Sequence, residues 1–241
     1  MKKTLTVTLL LFTFVATAQW GKRVKGNGKT VTIERSVGEY DAIAVAGWFD
    51  VELVSGNEGE ITLKGEENLL EYIKTEVKDD GRLVIKVEKG VNLKPSNWNS
   101  GINITVPVED ISAVSLSGSG DVVSKTTLKA DRFKANVAGS GDVELSIEAD
   151  ELSAQLSGSG DIVLEGSARD FDVQVSGSGD VKAYDLKADN VTAQVSGSAD
   201  IKITANSMLK ARVSGSGDIS YKGNPGKIDS KVSGSGDVSS Y

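Results

Sequence analysis

Seven aspartates end one short repeated motif, and their carboxylates are the first candidates for chemistry. The motif is Ser-Gly-Ser-Gly-Asp or a one-residue variant of it, and its aspartates are Asp121, Asp142, Asp161, Asp180, Asp200, Asp218 and Asp237. Calcium is the cation that such oxygens would bind, because nine-residue Gly-Gly-x-Gly-x-Asp repeats bind it in β-rolls. Here the motif recurs only every 18 to 21 residues, so each repeat offers one carboxylate. This spacing favours a structural corner over a calcium stripe, and no metal or other cofactor is predicted.

Residues suited to catalysis are few. The chain has no histidine and no cysteine, so the commonest general base and the thiol nucleophile are both missing. Two carboxylate pairs, Glu66-Glu67 and Asp79-Asp80, could perform acid-base chemistry. The first pair, however, falls at a predicted helix start, where acids are favoured, and the second falls at a solvated turn. We therefore predict a non-enzymatic protein without catalytic residues, and a polysaccharide-active enzyme is kept as an alternative.

Exposed aromatic side chains would provide a different kind of site, because their flat faces can stack on sugar rings. Trp98 lies near Pro95 in a segment that looks like a projecting loop, and Trp48 and Tyr221 are further candidates. These three residues are the predicted ligand contacts of a glycan-binding alternative. Trp48 also suits a core position, where it would not reach a ligand.

The period of the motif predicts the architecture. A unit of about 19 residues cannot bury an apolar face alone, whereas stacked copies can, each strand pairing in parallel with its equivalent one turn away. The predicted fold is all-β: a parallel β-helix, or β-solenoid, with coils of about 19 residues. A right-handed coil is predicted because parallel crossovers are overwhelmingly right-handed.

Between the motifs, apolar and polar residues alternate, as in strands with one buried face. Phe171-x-Val173-x-Val175 precedes one motif, and Ile162-x-Leu164 follows another. Each repeat is predicted to hold two or three short strands. The glycines suit the sharp turns between strands, and the Ser and Asp side chains can accept hydrogen bonds from turn N–H groups.

The chain divides into four segments. Residues 1–18 have the features of a secretory signal peptide, with Lys2 and Lys3 before an apolar run that ends in Ala16-Thr17-Ala18. Residues 19–29 are predicted to be a linker. Residues 30–110 form a strand-rich capping half with a helix near 66–78, where apolar residues fall at helical spacing. Residues 111–241 form the repeat solenoid, continuous with the cap as one domain.

Charge and hydropathy limit the partners and the location. The chain has 34 acidic and 27 basic residues, a net charge of −7, which disfavours nucleic acid. No stretch after the signal peptide is apolar over the length of a membrane helix. The predicted location is periplasmic, cell-surface or extracellular, and the predicted partner is a protein or glycan at the cell surface.

The order of motifs resembles a secreted bacterial family called putative auto-transporter adhesin, head GIN domain. The resemblance rests on Tyr40-Asp-Ala-Ile-Ala-Val-Ala-Gly-Trp-Phe-Asp-Val-Glu-Leu53, on Glu66-Glu-Asn-Leu-Leu70 and Ile104-Thr-Val-Pro107, and on the Ser-Gly-Ser-Gly-Asp repeats that follow. It implies a β-helix-like fold, an adhesin-like binding or structural role, and an origin in Bacteroidetes-type bacteria. The family supplies no catalytic residues.

Overall fold

The computed structural model describes residues 21–97 and 100–241. In its N-terminal half these residues form nine strands and one helix, in the order β1 (Lys22–Lys25), β2 (Thr30–Gly38), β3 (Ala42–Gly47), β4 (Asp50–Ser55), β5 (Gly59–Glu66), α1 (Glu67–Leu70), β6 (Ile73–Val77), β7 (Arg82–Val87), β8 (Val91–Lys94) and β9 (Asn103–Val108). The signal-peptide prediction and Trp98 lie outside the described residues.

The repeats form one long strand per coil. These strands, with the shorter ones that flank them, are β10 (Ala113–Gly118), β11 (Val122–Gly139), β12 (Val143–Gly158), β13 (Ile162–Gly177), β14 (Val181–Gly197), β15 (Ile201–Gly215), β16 (Ile219–Lys222), β17 (Lys227–Gly234) and β18 (Val238–Ser240). The strands predicted as two or three short pieces are thus merged in β11 to β15, because backbone pairing continues through the bends and stops at the Gly-rich motif.

Each coil pairs in parallel with the next, in register, as the repeat predicted. Val137 lies opposite Leu156, which in turn lies opposite Val175. The same order continues from β10 to β18 along one side of a 16-stranded sheet. The parallel β-solenoid is therefore confirmed.

The core is a stack of small apolar rows inside the coils. One row carries the larger side chains of Phe133, Leu152, Phe171, Val191 and Leu209, and all of them are buried. The neighbouring row is mostly alanine, as at Ala154 and Ala193. Equivalent inward positions stack about 4.8 Å apart, so small side chains suffice to fill a narrow coil.

The N-terminal half contributes the first coil and closes one end of the solenoid. Strand β3 pairs in parallel with β10, and β4 pairs in parallel with β11, so these two strands continue the repeat coils. Strand β7 pairs in parallel with β3, and β9 pairs in parallel with β4, which adds one more layer. The other pairings of the 16-stranded sheet in this half are antiparallel, between β2 and β5, β5 and β9, and β6 and β7. No helix in the described residues is long and apolar enough to cross a membrane.

Two boundary predictions in the cap are wrong. The helix predicted over 66–78 is limited to α1, because Ile73, Thr75 and Val77 alternate and pair with β7 across a turn at Gly81. β-Branched residues at every second position suit a strand better than a helix. The predicted linker 19–29 contains β1, which pairs in parallel with β8.

Candidate functional site

The Gly-rich corners are close backbone contacts between coils. The first glycine of every motif has a positive φ, between 130° and 138°. A Cβ built on Gly158 would lie 2.0 Å from the carbonyl oxygen of Gly139 in the previous coil. The corners are therefore backbone packed on backbone, with no space between coils for a ligand.

The motif aspartates form a hydrogen-bonded ladder along this edge. The backbone N–H of Asp142 donates to Oδ1 of Asp121 at 3.0 Å, and that of Asp161 donates to Oδ1 of Asp142 at 2.7 Å. The same bond recurs at every later motif and begins one coil earlier, where Asp121 N–H donates to Asp50. One oxygen of each accepting carboxylate is thus committed to the next coil, which confirms a structural role for the aspartate.

The remaining carboxylate oxygens do not converge. Oδ2 of Asp161 accepts a bond from Lys182 Nζ at 2.7 Å. Burial raises the pKa of Asp161, but the bonds from Lys182 and from the N–H of Asp180 outweigh it, so the pKa lies below its ordinary value. Across residues 21–97 and 100–241, no group of three or more acidic side chains is arranged to hold a metal.

We expect calcium to leave the stability of this ladder unchanged. Asp161→Asn keeps an oxygen acceptor and should cost less than about 1 kcal/mol, whereas Asp161→Ala removes it and should cost roughly 1–2 kcal/mol. Thermal unfolding with millimolar Ca²⁺ or with chelator measures both effects. A melting temperature that rises with Ca²⁺ in the wild type and not in Asp161→Asn would instead support the calcium stripe.

An open groove runs along another face of the solenoid and has a volume of about 810 Å³. We call it the amide groove. One row of its outward side chains comes from Asn136, Gln155, Gln174 and Gln194, which are in register on successive coils. A second row comes from the residues directly before the corner glycines, namely Ser117, Ala138, Ser157, Ser176, Ser196, Ser214 and Ser233. The groove exists because the second row is small while the first is long.

Much of the hydrogen-bonding capacity in the amide groove is unused by the protein. Gln174 donates to Asp172 at 3.0 Å, and Asn136 donates weakly to Ser115 at 3.5 Å. Gln155 and Gln194 are exposed, and within the described chain their amides have no protein partner. These two side chains and the serine hydroxyls can therefore bind a ligand that offers both donors and acceptors.

Charge enters the amide groove only at its C-terminal end. Arg212 and Lys231 follow Gln194 in the same row. Arg212 is committed to Asp229, which it contacts at 2.6 Å. The lining residues include no carboxylate, so the groove holds no acid-base pair of the kind that glycoside hydrolysis uses.

The predicted aromatic contacts do not form a common site. Trp48 lies at the first corner, between Gly47 and Phe49, and is half-buried against the core. Tyr221 lies on β16 and is also half-buried. Six coils separate the two, or roughly 29 Å along the axis. As ligand contacts these residues, with Trp98, stay predictions.

The paired carboxylates do not form a cleft either. Glu66 is 1% exposed, and it accepts the N–H groups of Gly28 and of Ser96, the latter at 2.8 Å. Asp80 is exposed and pairs with Arg82 at 2.7 Å. Glu66 is therefore a clamp that holds two loops onto the cap, and Asp80 belongs to a turn.

The family of the chain is shown by a sequence match to a family model. A family model described as "Putative auto-transporter adhesin, head GIN domain" matches residues 39–225. The chain belongs to this family. The match begins just before β3, so the family extends over the first coil as well as the repeats. No curated protein matches the chain.

Solved structures of similar fold include proteins from Bacteroides and Parabacteroides species. A "putative adhesin" from Bacteroides fragilis is 25% identical with a TM-score of 0.84, over 90% of this chain and 100% of that one. A "putative lipid binding protein" from Parabacteroides distasonis is 29% identical with a TM-score of 0.76, over 91% of this chain and 100% of that one. A "putative adhesin" from Parabacteroides merdae is 23% identical with a TM-score of 0.72, over 91% and 99%, and shows the fold alone. These names describe binding proteins, none of them an enzyme.

Proposed function

We propose that this protein is an exported, non-catalytic binding protein of the cell envelope, and that the amide groove is its ligand surface. Export is supported by the signal-peptide pattern of residues 1–18. The single observation that carries the binding site is the row of side-chain amides in register along one groove, in which Gln155, Gln194 and the neighbouring serine hydroxyls are free to bind.

The ligand that fits best is an extended, neutral, hydroxyl-rich chain such as a glycan. Side-chain amides donate and accept at once, as sugar hydroxyls do, and successive coils repeat the pair every 4.8 Å or so. A chain lying along the axis would meet equivalent groups on each coil. The groove also has the elongated shape that such a polymer needs.

An acyl chain is the second candidate. It is favoured by the name of the 29% identical Parabacteroides distasonis protein and by the apolar residues below the rows. That floor, however, is nearly covered, since Leu156 is 2% and Val175 is 3% exposed. These core residues would therefore add little to the burial of a hydrocarbon, and the polar rows favour the glycan.

Binding to an array of neutral oligosaccharides tests the proposal. We expect Ser176→Phe, which fills the groove, to lower affinity at least about tenfold, since one lost good contact of 1.4 kcal/mol has that effect. Gln155→Met with Gln194→Met should weaken binding similarly by removing the free amides. The matched control is Ser167→Phe, at an exposed position on another face of the same coil.

Two results would contradict this assignment. Oligosaccharide binding that survives both groove variants would place the site elsewhere, and Trp98→Ala in the same assay tests the aromatic alternative. Binding to phosphatidylcholine vesicles but to no oligosaccharide, with loss in Ser176→Phe, would favour the acyl chain.

A further inference from the structure

The two ends of the solenoid differ in the side chains that their outermost strands expose. At the N-terminal end the outermost strand is β6, whose charged residues are held in ion pairs, including Lys74 with Glu88 at 2.7 Å and Lys86 with Glu76 at 3.2 Å. Charged side chains on an edge strand block further strand pairing. At the C-terminal end the last coil exposes Ile228 by 48% and Val232 by 40%, at inward positions that are buried in earlier coils.

Strand β17 also presents unused backbone groups at this end. Within the described chain it pairs with β15 and with no other strand. Asp229 has the register position of Lys134, whose N–H donates to the preceding coil. The backbone N–H and C=O groups of successive residues point to opposite sides of a strand, so those of Ile228, Ser230 and Val232 point away from β15.

We propose that a second copy of this chain covers this edge, with the two β17 strands antiparallel and Ser230 on the two-fold axis. In this register Ser230 faces Ser230 of the second copy, and Ile228 faces Val232 of the second copy. The three residues with outward backbone groups then exchange about six hydrogen bonds as antiparallel pairs. With any other residue on the two-fold axis, these three residues would not all face one another across the contact.

The side chains of β17 are self-complementary in the same register. Asp229 faces Lys231 of the second copy, and the two-fold axis repeats this pair. The bond from Arg212 keeps the pKa of Asp229 below its ordinary value, so its charge is present at neutral pH. Lys231 has no ion-pair partner within the described chain. Opposite charges across an antiparallel pair stabilise it, and like charges destabilise it.

The isologous contact explains why the edge is apolar inside and charged outside. Ile228 and Val232 bury each other on the core side, while the ion pairs lie on the solvent side. A two-fold interface closes on itself and stops at the dimer, whereas head-to-tail stacking against β6 would continue as a filament. A contact of one strand per copy predicts a modest affinity, in the micromolar range.

A single cysteine at the axis tests the register directly, since the natural chain has none. Paired residues at a hydrogen-bonded antiparallel site lie about 5.5 Å apart at Cα, which a disulfide can span. We expect Ser230→Cys to form a cross-linked dimer under mild oxidant. Ser233→Cys on the same strand is the control, since its two copies would lie roughly 20 Å apart, and it should stay unlinked.

Charge exchange provides the second test, with mass measured by analytical ultracentrifugation. We expect the wild type to be dimeric at tens of micromolar, and Lys231→Glu to be monomeric because Asp229 then faces an acid. Adding Asp229→Lys to Lys231→Glu should restore the dimer, because opposite charges again face each other. Arg212 keeps an acidic neighbour in the double variant, since residue 231 lies directly opposite it on the adjacent coil. A monomeric wild type, larger assemblies, cross-linking of Ser233→Cys but not of Ser230→Cys, or a dimer indifferent to Lys231→Glu would each overturn the proposal.

Discussion

Replacing Gly158 by alanine is expected to prevent the solenoid from forming at that coil. Its φ of 137° is unfavourable for any residue with a Cβ, and the new Cβ would lie 2.0 Å from the backbone oxygen of Gly139. Moving a flexible side chain relieves neither the unfavourable φ nor the short contact, because both involve backbone atoms that are held in the hydrogen-bonded corner. We expect a loss of more than about 3 kcal/mol in the free energy of unfolding.

The matched control lies two residues later in the same corner. A Cβ on Gly160 would also approach a backbone oxygen, that of Gly141, at 2.0 Å, but its φ is not positive. The chain itself carries alanine at the equivalent position, Ala199. There the preceding N–H of Ser198 still donates to Gly177 at 3.0 Å, while in the described structure the N–H groups of residue 199 and of Gly217 in the next coil make no such bond.

A Cβ is thus accommodated at this corner, and Gly160→Ala should cost no more than about one hydrogen bond, or roughly 1 kcal/mol. Urea unfolding followed by circular dichroism distinguishes the two variants, since the midpoint should fall far more for Gly158→Ala. Equal losses in the two variants would show that close approach, and not the positive φ, determines the choice of glycine.

The repeat coils could be predicted from the sequence because two signals agree there. The motif fixes the period, and the alternation of residues such as Phe171, Val173 and Val175 fixes the buried face. Each coil repeats the same pair of signals, so an error in one coil is corrected by its neighbours. The family is predicted from the order of the motifs along the chain, and both predictions are confirmed.

The first corner shows where that signal ends. Ala46-Gly47-Trp48-Phe49-Asp50 takes the position of the motif, with Gly47 paired to Gly118 and Asp50 bonded to Asp121. Only the glycine and the aspartate are shared with the repeats. Two shared residues out of five are too few to recognise the motif, so the sequence alone places the first coil in the cap.

The amide groove was missed for a different reason. Gln155, Gln174 and Gln194 are unremarkable polar residues, each on the solvent side of its strand. Their significance comes from register, which places them on one line beside the small serine row. A comparison of equivalent positions across repeats shows both rows.

The helix prediction in the cap is wrong because a helical spacing and a strand alternation coexist between Leu69 and Val77. Antiparallel pairing with β7 favours the strand.

Glu66→Ala is expected to release the loops that close the N-terminal end. The buried carboxylate accepts the N–H of Gly28 and that of Ser96, so its removal leaves two donors without a partner. Hydrogen bonds to a charged group of this kind predict a loss of roughly 3 kcal/mol. Glu67→Ala is the matched control: its ion pair with Lys29 at 3.0 Å is exposed, and its loss should stay below about 1 kcal/mol.

The same clamp should depend on pH. Burial raises the pKa of Glu66, but the bonds from Ser96 and Gly28 outweigh it and hold the pKa below its ordinary value of 4.5. An acid whose pKa is lower when folded adds stability above the unfolded pKa and loses it as the pH falls through the folded pKa. Glu66→Gln keeps an oxygen acceptor without a titrating proton, so the stability difference between wild type and Glu66→Gln should shrink below about pH 4.5. Urea unfolding between neutral pH and pH 3 or so measures it, together with hydrogen exchange at the backbone amides of residues 26–29 and 96–97. A difference that stays constant over this range would mean that folding leaves the pKa of Glu66 unchanged.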